Sequence, residues 1–137
     1  MNGGALEWVL RLHAGAASLC VPLLLRLLGL RGTLRLLDGL ARLGQPYASL
    51  PRRRICAVVR RRLAHPRIMV RRACLRRGLV LYHLLRLAGL DARLRFAVYS
   101  PSLDPRRLHA HCWVSLGRRC LAPPPDAPSA TVLTWPN

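Results

Sequence analysis

Hydrophobic positions recur at helical spacing through the first half of the chain and alternate through much of the second. Leu6, Val9, Leu10 and His13 fall on one helical face, and the pattern resumes after Pro22 through Leu30. Gly32-Thr33 then opens Leu34 to Leu43, where Leu36, Leu37, Leu40 and Leu43 repeat at helical spacing. Gly44-Gln45-Pro46 is a break. Pro51 starts another helix, with Ile55, Val58, Val59 and Leu63 on its apolar face and arginines 52–54 and 60–62 around the other. His65-Pro66 ends it, and a proline also suits the first turn of a following helix.

The most regular helical stretch runs from about Ile68 to Ala88, with Leu75, Leu79, Tyr82 and Leu85 stepping by three and four. Gly89 is placed to end it, with Leu90 packing back. The period then changes. Residues 92–99 alternate and read as a strand, Pro101 to Pro105 is a loop, and Leu108 to Leu116 alternates again. Gly117-Arg118-Arg119 is a tight turn into Cys120-Leu121, and Thr131 to Trp135 reads as a last short strand. Helices first and a small antiparallel sheet last is the order of an α+β fold. The expected organisation is a helical leucine/arginine-rich region over 1–64 and a core over 65–137, joined in one compact unit.

Composition narrows the function classes. With 137 residues the chain is one domain by length, and its 52% hydrophobic content excludes an intrinsically disordered chain. Its 23 basic residues are all arginine, set against Glu7, Asp38, Asp91, Asp104 and Asp126, for a net charge of +18. Such a balance implies a polyanionic neighbour: an acidic peptide, a nucleic acid or an anionic membrane. Nucleic-acid binding ranks low, because aromatics are only 5% and no reading module is present. Docking of an acidic partner or peripheral contact with an anionic membrane fits better. The apolar stretch Ala14 to Leu30 is interrupted by Pro22 and Arg26, which argues against a membrane span, and only Arg11 precedes it, which argues against a signal peptide.

Five cysteines, at 20, 56, 74, 112 and 120, are an odd count without a CxxC, which suggests reduced thiols in a cytoplasmic protein. Two segments draw attention: residues 72–79, around Cys74, and His109 to Val114. A cysteine in the first turns of a helix sees oriented N–H groups and the positive dipole end, and flanking arginines add to that field. Such settings lower a thiol pKa to roughly 3.5–7.5. A histidine on a neighbouring strand then serves as general base and acid. The competing reading is a buried small hydrophobe, the usual fate of a helix cysteine.

The segments resemble the transglutaminase-like cysteine proteases of lasso-peptide biosynthesis, the B proteins that remove the leader from the precursor peptide. That family carries a Cys-Leu-x-Arg-small-Leu helix start, matched by Cys74-Leu75-Arg76-Arg77-Gly78-Leu79. Its turn into a strand is matched by Gly89-Leu90-Asp91-Ala92-Arg93, and its histidine strand by His111-Cys112-Trp113-Val114. The resemblance covers about Pro66 to Gly117. It implies a transglutaminase-like, papain-related core in which Cys74 is the nucleophile and His111 its base. It further implies a lasso precursor as substrate, with a small leader-recognition protein and an asparagine-synthetase-like macrolactam cyclase as partners, and no cofactor or metal.

The family's third member is an acid about a dozen residues after the histidine, which by triad logic holds the imidazole. Here that position falls near Ala122, and Ser115 and Leu116 stand where acids are common; Asp126 is the candidate available downstream. The alternative is a catalytically impaired module that binds a peptide or partner without cutting it. Zinc at His109, His111, Cys112 and Cys120 is disfavoured, because alternation sends Cys112 to the face opposite His111 and no standard ligand spacing appears. Cys20 and Cys56 read as core-facing thiols. His13, His65 and His83 lack a partner pattern and read as structural or surface residues. Trp113 shares the His111 face and lines the same cleft, or is a core tryptophan.

Overall fold

The structure is a computed structural model that describes residues 3–64, 73–99, 110–121 and 129–136. Three helices precede four strands: α1 (Gly3–Leu43), α2 (Arg52–Leu63), α3 (Ala73–Leu87), β1 (Ala92–Tyr99), β2 (Ala110–Leu116), β3 (Arg119–Cys120) and β4 (Ser129–Trp135). The strands form one sheet in the order β3-β2-β1-β4, with every pairing antiparallel. This is the helix-then-sheet α+β order that the hydrophobic periods predict. The expected ends of the second helix at His65-Pro66 and of the third near Ile68 lie outside the described residues, as do the 101–105 loop and His109.

The long first helix differs from its sequence reading in two ways. Pro22 does not divide it; the helical backbone instead breaks at Gly29, with φ 66° and ψ 179°. A β-carbon is strongly disfavoured at positive φ, so glycine sets the break, whereas a proline is tolerated where neighbouring packing holds the helix together. Thr33 Oγ1 donates to the Gly29 carbonyl at 2.8 Å, satisfying an acceptor just past the break.

The buried face also differs from the expectation. Leu6, Leu10 and Ala14 are buried, while Val9 is exposed. Farther along, Thr33, Leu34, Leu37, Asp38 and Ala41 are buried, while Leu36, Leu40 and Leu43 are exposed. Leucines around most of this helix make its period ambiguous. A buried polar contact selects the face: Asp38 accepts hydrogen bonds from Tyr82 Oη of α3 and, at 2.8 Å, from Trp135 Nε1 of β4.

The second helix follows its pattern, with Ile55, Val58, Val59 and Leu63 buried and Pro51 immediately before its first residue. Arg60, Arg61 and Arg62 fall in its last turn, where cations meet the negative end of the helix dipole. Gly89, at φ 74°, ends α3 as expected. Its N–H donates to Arg86 O at 3.0 Å and the Leu90 N–H donates to Leu85 O at 3.1 Å, which is a Schellman cap. Leu90 packs against the core. A single hydrophobic cluster joins the three helices to one face of the sheet through Leu94, Cys112 and Val114.

Candidate active site

The third helix lies on β1 and β2, and Gly78 sets how closely. A β-carbon at Gly78 would stand 2.8 Å from Cys112 Sγ and 3.2 Å from Leu94 Cδ1. Hydrogen at this position lets β2 approach the helix one turn beyond Cys74. Side chains along a strand alternate, so with Cys112 and Val114 turned to the helices, His111, Trp113 and Ser115 occupy the opposite face. The His111 and Trp113 rings stack there, with centroids 5.9 Å apart and planes 22° from parallel.

Cys74 and His111 border one cavity of about 320 Å³ from different sides of β2. Cys74 lies on the helix side with Cys112, whereas alternation turns His111 to the other face, so what the two share is the cavity and not a packed face. Its wall includes Cys74 and Arg77 from α3, Arg60 from α2 and His111 and Trp113 from β2. Cys74 is partly exposed, whereas Cys112 behind it is buried. Burial, and secondarily the neighbouring Cys74, pushes the Cys112 thiol far up. Burial likewise pushes up the half-buried Cys56 thiol, against the pull of Arg52 and Arg60. Both thiols are therefore harder to ionise than an ordinary cysteine.

Among the described residues the cavity wall carries no carboxylate. Glu7 pairs with Arg11 at 2.6 Å and Arg54 at 3.3 Å. Asp91 sits 3.8 Å from both Arg86 and Arg93. Asp38 is held by Tyr82 and Trp135, with Arg86 Nε at 3.6 Å, an ion-pair separation. Asp126 lies outside the described residues. Trp113 Nε1 and Ser115 Oγ are buried with no hydrogen-bond partner among the described residues.

One residue departs from its sequence reading, and two histidines gain partners that the sequence does not show. Cys20 is exposed rather than core-facing, because α1 turns that flank to solvent. His13 and His83, which lack any partner pattern in sequence, meet at 3.2 Å between Nε2 atoms, and Tyr47 Oη is hydrogen-bonded to His13 Nδ1 at 2.8 Å. Asp38 was not singled out by sequence. Its one hint in the sequence is that it is among the five carboxylates of the chain and stands in a leucine-rich helix.

Residues 17–133 match the family model of the transglutaminase-like superfamily. The chain belongs to the transglutaminase-like superfamily. That span includes all three helices in whole or in part and reaches into β4. Transglutaminase-like domains commonly contain cysteine proteases and transglutaminases, for which a helix cysteine and a strand histidine on one cavity are chemically suited. Neither the curated proteins nor the solved structures yield a match.

Proposed function

We propose that this chain is a cysteine peptidase that removes the leader from a lasso-peptide precursor. The observation that carries the reading is the shared cavity of Cys74 and His111. The motif resemblance around these residues supplies the substrate class. In the proposed reaction the Cys74 thiolate attacks the carbonyl of the last leader residue, and the thiol proton resides on His111. Collapse of the tetrahedral intermediate expels the amine of the core peptide, which takes that proton. Water, deprotonated by His111, then releases the leader carboxylate and restores the thiol. The backbone N–H of Cys74 is the proposed oxyanion donor. Arg60 and Arg77 on the wall favour an acidic leader segment.

A small leader-recognition protein and an asparagine-synthetase-like cyclase are the proposed partners, acting before and after the cut. Asp126 is the proposed third residue, orienting His111 from the proline-rich segment before β4. The site is proposed to work in the cytoplasm without metal or cofactor.

The second reading, a module that binds the peptide but does not cut it, is favoured by the absence of a carboxylate on the described cavity wall. Mass spectrometry of a precursor from a neighbouring reading frame, incubated with this protein and the leader-recognition partner, separates the two. Cleavage by wild type that is lost in Cys74→Ala and His111→Ala supports the peptidase, and loss in Asp126→Asn supports the third residue. Inert but folded wild type, with all accessible thiols alkylated at one slow rate, supports the binding module.

A further inference from the structure

One flank of α1 lies outside the core although it is among the most apolar surfaces of the chain. Trp8, Leu12, Leu19, Leu23 and Leu27 are 65%, 66%, 69%, 56% and 71% exposed. At 100° per residue these five positions fall within about a third of the helix circumference, which makes them one stripe. At 1.5 Å per residue it extends for about 28 Å. Only 22% of the most apolar 18-residue window of this helix is buried. A contiguous exposed apolar surface of this length marks an interaction site.

Its surroundings say what kind. A groove between the start of α1 and α2 runs beside Trp8 and Leu12 and is lined by Arg11, Arg54, Arg61 and Arg62. Glu7, the one carboxylate in that groove, is engaged by Arg11 and Arg54. Trp8 and Leu12 line that groove as well, so the stripe ends among cations, and the chain carries +18 overall. We propose that α1 lies flat on an anionic phospholipid bilayer. The leucine stripe enters the acyl boundary, Trp8 sits at the headgroup level, and the groove arginines take phosphates. Interfacial helices combine these same elements.

A transmembrane placement of α1 is opposed by its other face, where Leu6, Leu10, Ala14 and Val21 belong to the protein core. Lying on the surface keeps that face packed. The proposal is independent of the peptidase reading, since none of these residues lines the Cys74 cavity.

The test is co-sedimentation of the full chain with vesicles of phosphatidylcholine alone or mixed with phosphatidylglycerol, alongside size-exclusion chromatography. The expected result is partition onto the mixed vesicles only, weakening as salt rises, with a blue shift of tryptophan emission that Trp8→Phe abolishes. Leu19→Gln/Leu23→Gln is expected to weaken partition at least tenfold, and Arg61→Glu to weaken it on anionic vesicles, both with unchanged circular dichroism. Arg61 is chosen over Arg62 because the Arg62 guanidinium packs over Gly15. Equal partition onto neutral vesicles, no partition, or unchanged partition of the leucine variant would overturn the proposal. An oligomer that the leucine variant dissociates, without vesicle binding by wild type, would assign the stripe to a second copy of the chain and also overturn it.

Discussion

Gly78 and Cys112 are in a contact that only glycine permits, since a β-carbon at position 78 would stand 2.8 Å from the Cys112 sulfur. That contact fixes the separation of α3 from β2, and with it the placement of Cys74 and His111 around their common cavity. Gly78→Ala is expected to destabilise the fold by about 1–2 kcal/mol, overpacking outweighing the gain in helix propensity. Cleavage should slow as well. Cys112→Ala in the same chain should recover most of both losses, which urea unfolding and cleavage rates would read as a double-mutant cycle.

Asp38 joins α1, α3 and β4 through Tyr82, Trp135 and Arg86. Removing it leaves a buried phenol and a part-buried indole N–H without their acceptor and takes one of two nearby carboxylates from Arg86. Asp38→Ala is expected to cost about 3–5 kcal/mol, the usual scale for breaking a buried charged network from one side. Tyr82→Phe removes one hydrogen bond and should cost only about 1–2 kcal/mol. Thermal or chemical unfolding of the two variants gives the comparison; equal costs would contradict the shared role of this carboxylate.

His83 links stability to pH. Burial, with His13 alongside, lowers its pKa to about 4 from an ordinary 6.5, and burial lowers that of His13 as well. In this window the unfolded chain binds protons that the folded chain does not, so stability falls as pH drops from about 6.5 to about 4. The groups facing His83 Nε2 are His13 and, beyond it, Tyr47, whose phenol is itself raised by burial. His83→Leu should flatten the stability profile across that window, measured by urea unfolding at several pH values. A slope unchanged by the substitution would contradict the assignment.

The helix-then-sheet order, the faces of α2, the cap at Gly89 and the first strand are legible in the sequence, because each rests on a local signal of period or turn chemistry. The face of α1 is not. Leucine at most positions of that helix removes the contrast on which periodicity depends, and its orientation is set by Asp38 meeting Tyr82 and Trp135, residues far away in the chain. The same ambiguity hides the exposed stripe from Trp8 to Leu27. Cys74 and His111 stand out through motif resemblance, whereas their common cavity depends on Gly78, a small residue whose meaning appears only once β2 packs on it. The His13–His83 pair is equally invisible, since nothing local connects two histidines from different helices.

The most direct measurement of the peptidase claim is the intact mass of the protein after rapid mixing with precursor and leader-recognition partner, followed by acid quench. The expected result is a transient adduct equal to the leader as an acyl group, mapped to Cys74 as a hydroxylamine-sensitive thioester and missing in Cys74→Ala. Product formation by the Cys74→Ala protein, or an adduct on Cys20, Cys56, Cys112 or Cys120, would contradict Cys74 as the nucleophile.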